Sequence, residues 1–212
     1  MQLLTTGDPG AESTFLMAHG AGAAMDSRWM DDVAALLGSR GIRVVRVEFG
    51  YMAGRRDGVR KPPPRAETLA GEFRDAVDAA TVSLPTGGRL LIGGKSMGGR
   101  VASYVADELF DAGTVTGLVC LGYPFHPPEK PEQLRTAHLA GLRTPTLICQ
   151  GTRDPLGSRD EVAGYPLSPT IELHWLEDGD HELRPRKAIS GRTFAQNLAE
   201  TAEAVAAFAV AH

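Results

Sequence analysis

The amino-acid sequence predicts an α/β fold in which a mostly parallel sheet of about six strands lies between two layers of helices. Two observations lead to this prediction. Short apolar runs, typical of strands buried on both faces, alternate with longer stretches whose apolar residues recur every three or four positions, as in amphipathic helices. Strands joined by crossover helices run parallel, so this alternation favours a three-layer αβα sandwich. No repeat or linker divides the 212 residues, and we expect one domain spanning residues 1–212.

Six apolar runs are predicted to be strands. Most are continuously apolar, as expected for strands that are covered on both faces. The sixth run, and part of the second, alternate apolar with polar residues, which indicates an edge position or a half-covered face. In chain order the runs are 14–18, 42–47, 90–92, 118–121, 146–149 and 171–176.

Helical periodicity fills the intervals between these runs. Apolar residues at helical spacing predict helices over 29–37, 69–80, 101–109 and 190–212, and a shorter helix is expected near 131–139. The stretch 49–64 ends in three consecutive prolines, which cannot continue a helix or a central strand, so it is predicted to be a loop. Only 24 residues separate Leu121 from Thr146, which leaves no room for a large lid.

Composition and charge exclude several classes of protein. The 22 basic and 26 acidic residues give a net charge of -4, which argues against a nucleic-acid-binding protein that relies on phosphate neutralisation. No apolar run approaches the ~18 residues of a membrane span, and the first residues lack the features of a signal peptide. The cysteines, Cys120 and Cys149, form neither a disulfide framework nor a metal knuckle. We therefore expect a soluble, cytoplasmic protein that binds neither nucleic acid nor membranes.

The segment 90–101 carries the most informative motif. An apolar run is followed by Gly94-Lys95-Ser96-Met97-Gly98 and then by a helical stretch. Glycines two residues either side of a serine permit a sharp strand-to-helix turn that lifts the hydroxyl above the sheet. The tripeptide ending in Ser96 also matches the end of a phosphate-binding loop, but that motif requires glycine at position 89, where arginine stands. The motif is therefore interpreted as a nucleophile turn with Ser96 at its apex.

A serine nucleophile needs a base, usually a histidine that is oriented by a carboxylate. Asp154 follows the fifth run and His181 follows the sixth, so both stand at the carboxyl ends of predicted strands, as Ser96 does. Active sites of parallel sheets are built at that edge. The chain order of nucleophile, acid and histidine is the one expected after such a turn. Ser96, Asp154 and His181 are predicted to be catalytic.

Acyl transfer also requires backbone donors for the oxyanion. One is expected from the amide of Met97, directly after the serine. The other is expected from the turn His19-Gly20-Ala21-Gly22 after the first run, with the amide of Ala21 as the donor. No pattern of metal-ligating histidines is present, so a catalytic metal is not expected. Acyl transfer through a serine needs no cofactor, and none is expected.

With these pieces in order, the sequence resembles the α/β-hydrolase superfamily over nearly its whole length, and it looks closest to small dienelactone-hydrolase-like bacterial serine hydrolases. Segments 51–64 and 122–128 are similar to the hydrolase-like domain of a non-specific-lethal chromatin complex subunit. The resemblance implies an α/β-hydrolase fold and cleavage of a small carboxylic ester or thioester through a catalytic triad. Dienelactone hydrolase itself has a cysteine nucleophile, so its substrate is not implied. The alternative is a scaffold or binding protein that retains the fold with little activity.

Two loops on the catalytic edge are predicted to line the substrate site. The first carries Tyr51, Arg55, Arg56 and Arg60, and its guanidinium groups are suited to holding a substrate carboxylate. The alternative for this loop is a solvated segment whose cations pair with surface acids.

The second loop carries Phe125 and His126 among prolines, which restrict its path. These two residues are interpreted either as lining of the site or as packing. Lys95 either favours anionic substrates or, as we favour, points away and pairs with an acid. The site is expected to be open and shallow, suited to a small acyl substrate. The natural substrate, the preference among ester, thioester and amide, and the oligomeric state stay open.

Overall fold

Seven strands form one sheet in the computed structural model, which describes residues 2–56, 58–59 and 61–212. The strands are β1 (Leu3–Thr6), β2 (Ser13–Ala18), β3 (Ile42–Val47), β4 (Arg89–Lys95), β5 (Gly117–Leu121), β6 (Thr146–Gly151) and β7 (Ile171–Leu176). They lie in the order β1-β3-β2-β4-β5-β6-β7. Every pairing from β3 to β7 is parallel, and β1 pairs antiparallel with β3.

Helices connect most of the strands. They are α1 (Arg28–Gly38), α2 (Gly50–Arg56), α3 (Ala70–Thr81), α4 (Met97–Ser103), α5 (Ala106–Asp111), α6 (Arg159–Val162), α7 (Lys187–Ser190) and α8 (Phe194–Ala211). Helices α1 and α8 pack on one face of the sheet, and α3, α4 and α5 pack on the other. The predicted three-layer sandwich is confirmed.

The interior strands are continuously apolar because each face has its own core. On β2, Phe15 and Met17 pack beneath α1 and α8, whereas Leu16 and Ala18 pack beneath α3 and α4. Side chains of a strand point alternately to its two faces, so a strand covered on both sides needs apolar residues at every position. The same alternation explains why four of the six runs carry almost no polar residue.

The two alternating runs have different explanations. The edge position expected for 171–176 is confirmed, because β7 ends the sheet and most of its residues are partly exposed. The half-covered face expected for 42–47 is wrong, because every residue of β3 is buried. Its two arginines are hydrogen-bonded to main-chain carbonyls: Arg46 donates to the carbonyl of Met25 at 2.9 Å, and Arg43 donates to the carbonyl of Ser83 at 2.5 Å.

Strand β1 is a finding that the sequence does not predict, since its four residues are too few to show a period. It pairs along the outer edge of β3 in the register Leu3 to Val47 through Thr6 to Val44. The sheet therefore has seven strands instead of about six, with an antiparallel strand at one edge.

The expected loop over 49–64 is wrong for its first part, which forms α2. The amide of Gly50 donates to the carboxylate of Glu72 at 2.7 Å, and Met52 is buried, so the segment is anchored before the prolines begin. The helix expected near 131–139 is also wrong. In the described part of the chain this segment makes separate turns and a short 3₁₀ helix at Leu139–Gly141.

Two other helical predictions are refined. The periodicity over 101–109 belongs to two helices, because α4 ends at Ser103 and α5 begins at Ala106. The helix expected over 190–212 begins at Phe194, where Thr193 and Gln196 form a capping box. None of the helices in the described residues combines the length and the apolar composition that crossing a membrane requires.

The two cysteines lie on neighbouring strands but on opposite faces of the sheet. The register places Cys120 beside Ile148 and Cys149 beside Leu121, so the two thiols belong to different cores. Both are free and buried, and burial raises the pKa of each thiol.

Candidate active site

Ser96 occupies the turn between β4 and α4 with a strained backbone, φ 49° and ψ -113°. The glycines on either side make this turn possible. A Cβ atom on Gly94 would lie 2.1 Å from the carbonyl oxygen of Ala18, and one on Gly98 would lie 2.4 Å from the same atom. Any side chain at these two positions would collide with β2, which explains the spacing of the motif in physical terms.

The side chains of Ser96, His181 and Asp154 form one hydrogen-bonded series. The distance from Ser96 Oγ to His181 Nε2 is 2.8 Å, and the distance from His181 Nδ1 to Asp154 Oδ2 is also 2.8 Å. Because Nδ1 faces a carboxylate, it carries the ring proton and donates it, which leaves Nε2 to accept from the serine hydroxyl. The three residues follow β4, β7 and β6, so the structure brings them together at the carboxyl edge of the sheet.

The carboxylate of Asp154 is fully buried and held by donors besides the histidine. Gln150 Nε2 donates to Oδ2 at 2.9 Å, and the amide of Leu156 donates to Oδ1 at 2.8 Å. Gln150 also accepts a hydrogen bond from the amide of Tyr123 at 2.7 Å, so it ties the acid to the loop that follows β5. The only signal for Gln150 in the sequence is its position near the end of β6, four residues before Asp154.

Lys95 supports the loop that carries the histidine. Its ammonium group is buried, donates to the main-chain carbonyl of His181 at 2.7 Å and lies 3.3 Å from the carboxylate of Glu182. It also lies 5.5 Å from the ring centroid of Trp29. Burial lowers the pKa of this lysine, and the nearby carboxylates of Glu182 and Asp154 oppose that shift. The interpretation that Lys95 pairs with an acid is correct.

The two amides expected to hold an oxyanion border the same cleft as Ser96. In the described residues, neither the amide of Met97 nor that of Ala21 donates to a protein acceptor. The turn that carries Ala21 is close to Ser96, because a Cβ atom on Gly20 would lie 3.7 Å from the Cβ atom of Ser96. Both donors are thus available to a ligand, and their catalytic role stays a prediction.

His19 and Tyr51 hold that turn in place. His19 is fully buried, donates from Nδ1 to the carbonyl of Gly20 at 2.6 Å and accepts at Nε2 from the amide of Phe49 at 3.1 Å. Burial lowers its pKa, which keeps the ring neutral. The hydroxyl of Tyr51 donates to the carbonyl of Ala21 at 3.1 Å. Tyr51 therefore supports the turn from behind and does not line the cleft.

The predicted substrate-binding arginines also lie outside the cleft. Arg55 lies over the ring of Tyr51 and donates to the carbonyl of Lys61 at 3.3 Å. Arg56 pairs with Glu48 at 2.7 Å and with Asp26 at 2.8 Å. Paired arginines of this kind correspond to the alternative interpretation of the loop. Arg60 is outside the described residues.

Phe125 and His126 are packing residues. Phe125 is fully buried between Tyr123 and Tyr165, with ring centroids at 4.9 and 5.7 Å. His126 is 2% exposed, and its Nδ1 lies 2.8 Å from the carbonyl oxygen of Pro127. Neither side chain lines the cleft, so the structure favours the packing interpretation of both residues.

The cleft beside Ser96 has a volume of about 1110 Å³ and is lined by residues that the sequence does not single out. Trp29 and Glu182 stand near Lys95, and Arg65, Arg100 and Arg135 also border it. Arg100 was within reach of prediction, because it lies one helical turn after the nucleophile. Arg65 and Arg135 occupy irregular segments, where the direction of a side chain cannot be deduced from sequence spacing. The described residues contain no group of three side chains suited to holding a metal ion.

The chain matches a family model and several solved structures over most of its length. Residues 11–210 match the model of a family described as an alpha/beta hydrolase domain. A dienelactone hydrolase from Anabaena variabilis is 22% identical with a TM-score of 0.72, over 99% of this chain and 91% of that chain. An α/β serine hydrolase homologue from Coxiella burnetii is 18% identical with a TM-score of 0.67, over 97% and 89%.

A structure from Xanthomonas campestris, described as an α/β serine hydrolase without lid, is 18% identical with a TM-score of 0.66, over 96% of this chain and 88% of that chain. At these identities the likeness shows the fold. The expected similarity to the chromatin complex subunit stays a prediction.

Proposed function

The chain belongs to the alpha/beta hydrolase domain family, and we propose that it is a serine hydrolase that cleaves small carboxylic esters or thioesters. One observation carries the proposal. The series Asp154–His181–Ser96 is joined by two hydrogen bonds of 2.8 Å and ends at a serine whose strained turn borders an open cleft. A nucleophile, a base and an orienting carboxylate in this arrangement support acyl transfer.

In the proposed reaction, Ser96 Oγ attacks the carbonyl carbon while His181 Nε2 accepts the hydroxyl proton. The tetrahedral intermediate then collapses, the bond to the alcohol or thiol breaks, and that leaving group takes the proton from Nε2. The acyl group stays on Ser96. A water molecule, deprotonated by Nε2, attacks the acyl-enzyme and releases the carboxylic acid, and the proton returns to Ser96 Oγ.

The surrounding groups have separate tasks in this scheme. Asp154 keeps the proton on Nδ1 and stabilises the imidazolium that forms during each half of the reaction. The amides of Met97 and Ala21 donate to the oxyanion, where preorganised donors are worth about 2.7–4 kcal/mol each. The scheme needs no metal or organic cofactor.

The cleft is large enough for a small-molecule substrate. Its volume of about 1110 Å³ slightly exceeds the range of ordinary small-molecule sites, roughly 300–1,000 Å³. The 24 residues between Leu121 and Thr146 fold into turns against the body of the protein. A site with this little cover supports a water-soluble acyl substrate. Esters and thioesters share the same carbonyl chemistry, so both belong to the proposal.

A scaffold protein that retains the fold is the competing function. A scaffold has no use for a strained serine or for a hydrogen-bonded histidine beside it, and strain of this kind costs about 1–3 kcal/mol. The geometry at Ser96 therefore favours catalysis.

Labelling with a fluorophosphonate probe tests the proposal. Native protein should react, whereas Ser96→Ala and His181→Ala should not, since the first lacks the nucleophile and the second lacks its base. Ser39→Ala, at an exposed serine that caps α1, is the matched control and should label as the native protein does. Absence of labelling in folded native protein, shown by its circular dichroism, would favour the scaffold.

A further inference from the structure

The charges that line the cleft differ in sign from the charge of the whole protein. Among the residues that the structure describes, four cations border it, namely Arg65, Lys95, Arg100 and Arg135, together with two acids, Glu67 and Glu182. The difference, four minus two, is a formal charge of +2 in a chain whose net charge is -4. A cleft of one sign concentrates small ligands of the other sign.

Two of these cations already have carboxylate partners. Lys95 lies 3.3 Å from Glu182, and Arg100 pairs with Glu67 at 2.5 Å. Glu67 also accepts from the hydroxyl of Tyr104 at 2.8 Å, so its acceptor sites are largely occupied. These pairs neutralise both acids of the cleft.

Arg135 and Arg65 are left over. In the described part of the chain, no carboxylate lies within 4.0 Å of either guanidinium group. Arg65 is exposed, whereas Arg135 is half-buried. Burial and the neighbouring charge of Arg100 lower the pKa of Arg135. A half-buried guanidinium beside a like charge is unfavourable unless an anion compensates it.

The main chain of Arg135 is held firmly in this position. Its amide donates to the carbonyl of Phe125 at 2.7 Å, and its carbonyl accepts from the hydroxyl of Tyr123 at 3.1 Å. Both aromatic side chains are fully buried. The fold therefore presents the guanidinium group to the cleft from a fixed backbone, which lowers the entropy lost when a ligand binds.

We propose that Arg135, with Arg65 and Arg100, forms a subsite for an anionic oxygen group, a carboxylate or a phosphate, carried by the ester or thioester substrate. The substrate part of this inference rests on the proposed hydrolase function. A planar guanidinium group binds such groups through two parallel hydrogen bonds. Charge-assisted hydrogen bonds of this kind change affinity by about ten- to a hundredfold.

Matched pairs of esters test the subsite by kinetics. The first pair is hydrogen 4-nitrophenyl glutarate and 4-nitrophenyl valerate, which differ by a carboxylate on the acyl side. The second pair is 4-carboxyphenyl acetate and phenyl acetate, which differ on the alcohol side. In at least one pair, the native protein should prefer the charged ester in kcat/KM, and Arg135→Gln should reduce that ratio about ten- to a hundredfold, mainly through KM.

Two further variants calibrate this result. Arg135→Lys keeps the charge but loses the paired hydrogen bonds, so its ratio should lie between those of the native protein and Arg135→Gln. Arg74→Gln removes an arginine that pairs with Glu108 outside the cleft and should leave the ratio unchanged.

Binding measurements separate this inference from the proposed function. Inorganic phosphate and glutarate are titrated calorimetrically into Ser96→Ala and into Ser96→Ala/Arg135→Gln, neither of which needs to turn over. Binding of either anion should weaken about tenfold or more in the double variant, and the preferred anion identifies the group. The subsite would be overturned if the anions bound equally well to Ser96→Ala and to Ser96→Ala/Arg135→Gln. It would also be overturned if Arg135→Gln left the ratio of kcat/KM between charged and uncharged esters unchanged. If the native protein neither labels nor hydrolyses any ester, the proposed function fails and the titration alone decides the subsite.

Discussion

The ammonium group of Lys95 donates a 2.7 Å hydrogen bond to the main-chain carbonyl of His181. The residue before Ser96 thus holds the loop that carries His181. A charge this buried is costly, and here the carbonyl, the carboxylate of Glu182 and the ring of Trp29 compensate for it. In Gly94-Lys95-Ser96, which resembles the end of a phosphate-binding loop, the lysine therefore makes a contact within the protein.

Lys95→Met should therefore impair the reaction without touching the triad. Loss of the hydrogen bond frees the His181 loop, and misplacement of a base by about 1 Å costs about a hundredfold in rate. We expect kcat to fall about ten- to a hundredfold with little change in KM. Glu182→Gln keeps the bond to the His181 carbonyl and should have the smaller effect. An unchanged kcat in folded Lys95→Met would show that this contact is dispensable.

Asp154→Asn should nearly abolish turnover. An amide at this position no longer holds the proton on His181 Nδ1, so Nε2 ceases to act as a base, and kcat should fall by roughly 10³–10⁴. Asp160→Asn, at an exposed position in α6, is the control and should keep the native rate. Initial-rate kinetics with an activated ester provide the measurement, and a loss shared by both variants would contradict the assignment of Asp154.

Two glycine substitutions should have opposite effects on stability. Gly94→Ala places a Cβ atom 2.1 Å from the Ala18 carbonyl oxygen and should lower the free energy of unfolding by about 3 kcal/mol or more. Gly71→Ala meets no atom within 4 Å and lies in α3, so it should raise the free energy of unfolding by about 0.5–1 kcal/mol. Urea denaturation measures the free energy of unfolding of each variant. If the two variants were equally stable, the close approach of β2 and β4 would be contradicted.

Stability should decline as the pH falls from about 6.5 to about 4. Burial and the charge of Arg100 lower the pKa of His138 to about 4, from 6.5 in the unfolded chain. Over this range the unfolded state takes up a proton that the folded state does not, so the free energy of unfolding decreases with decreasing pH. Burial of His19 acts in the same direction.

His138→Gln isolates this contribution. Its free energy of unfolding should fall less than that of the native protein between pH 7 and pH 5. Between pH 7 and pH 8 the free energy of unfolding should change equally with pH in both proteins, because His138 is neutral in the folded and the unfolded state. If the free energy of unfolding of His138→Gln falls with pH as steeply as that of the native protein, other groups cause the decline.

The sequence predicts the parts of this protein that depend on local order along the chain. Ser96, Asp154 and His181 each follow a strand of a parallel sheet, and topology alone then brings them to one edge. The sequence could not show that the side chains of Arg56 and Phe125 lie outside the cleft. Whether a side chain points into a cleft or pairs behind its wall depends on tertiary packing, which neither residue type nor spacing encodes. The same limit applies to Arg135, whose main chain is held in place by hydrogen bonds with Tyr123 and Phe125.

The position of β7 has a consequence for how activity is lost. Ser96 follows a central strand, whereas His181 follows the edge strand, which is partly exposed and paired on one side only. Edge elements open locally at a lower free energy than the interior of a sheet. If β7 opens locally, His181 moves away from Ser96 while the rest of the molecule remains folded. For the proposed hydrolase, we therefore expect heating to inactivate the protein reversibly at a temperature below that at which the fold melts.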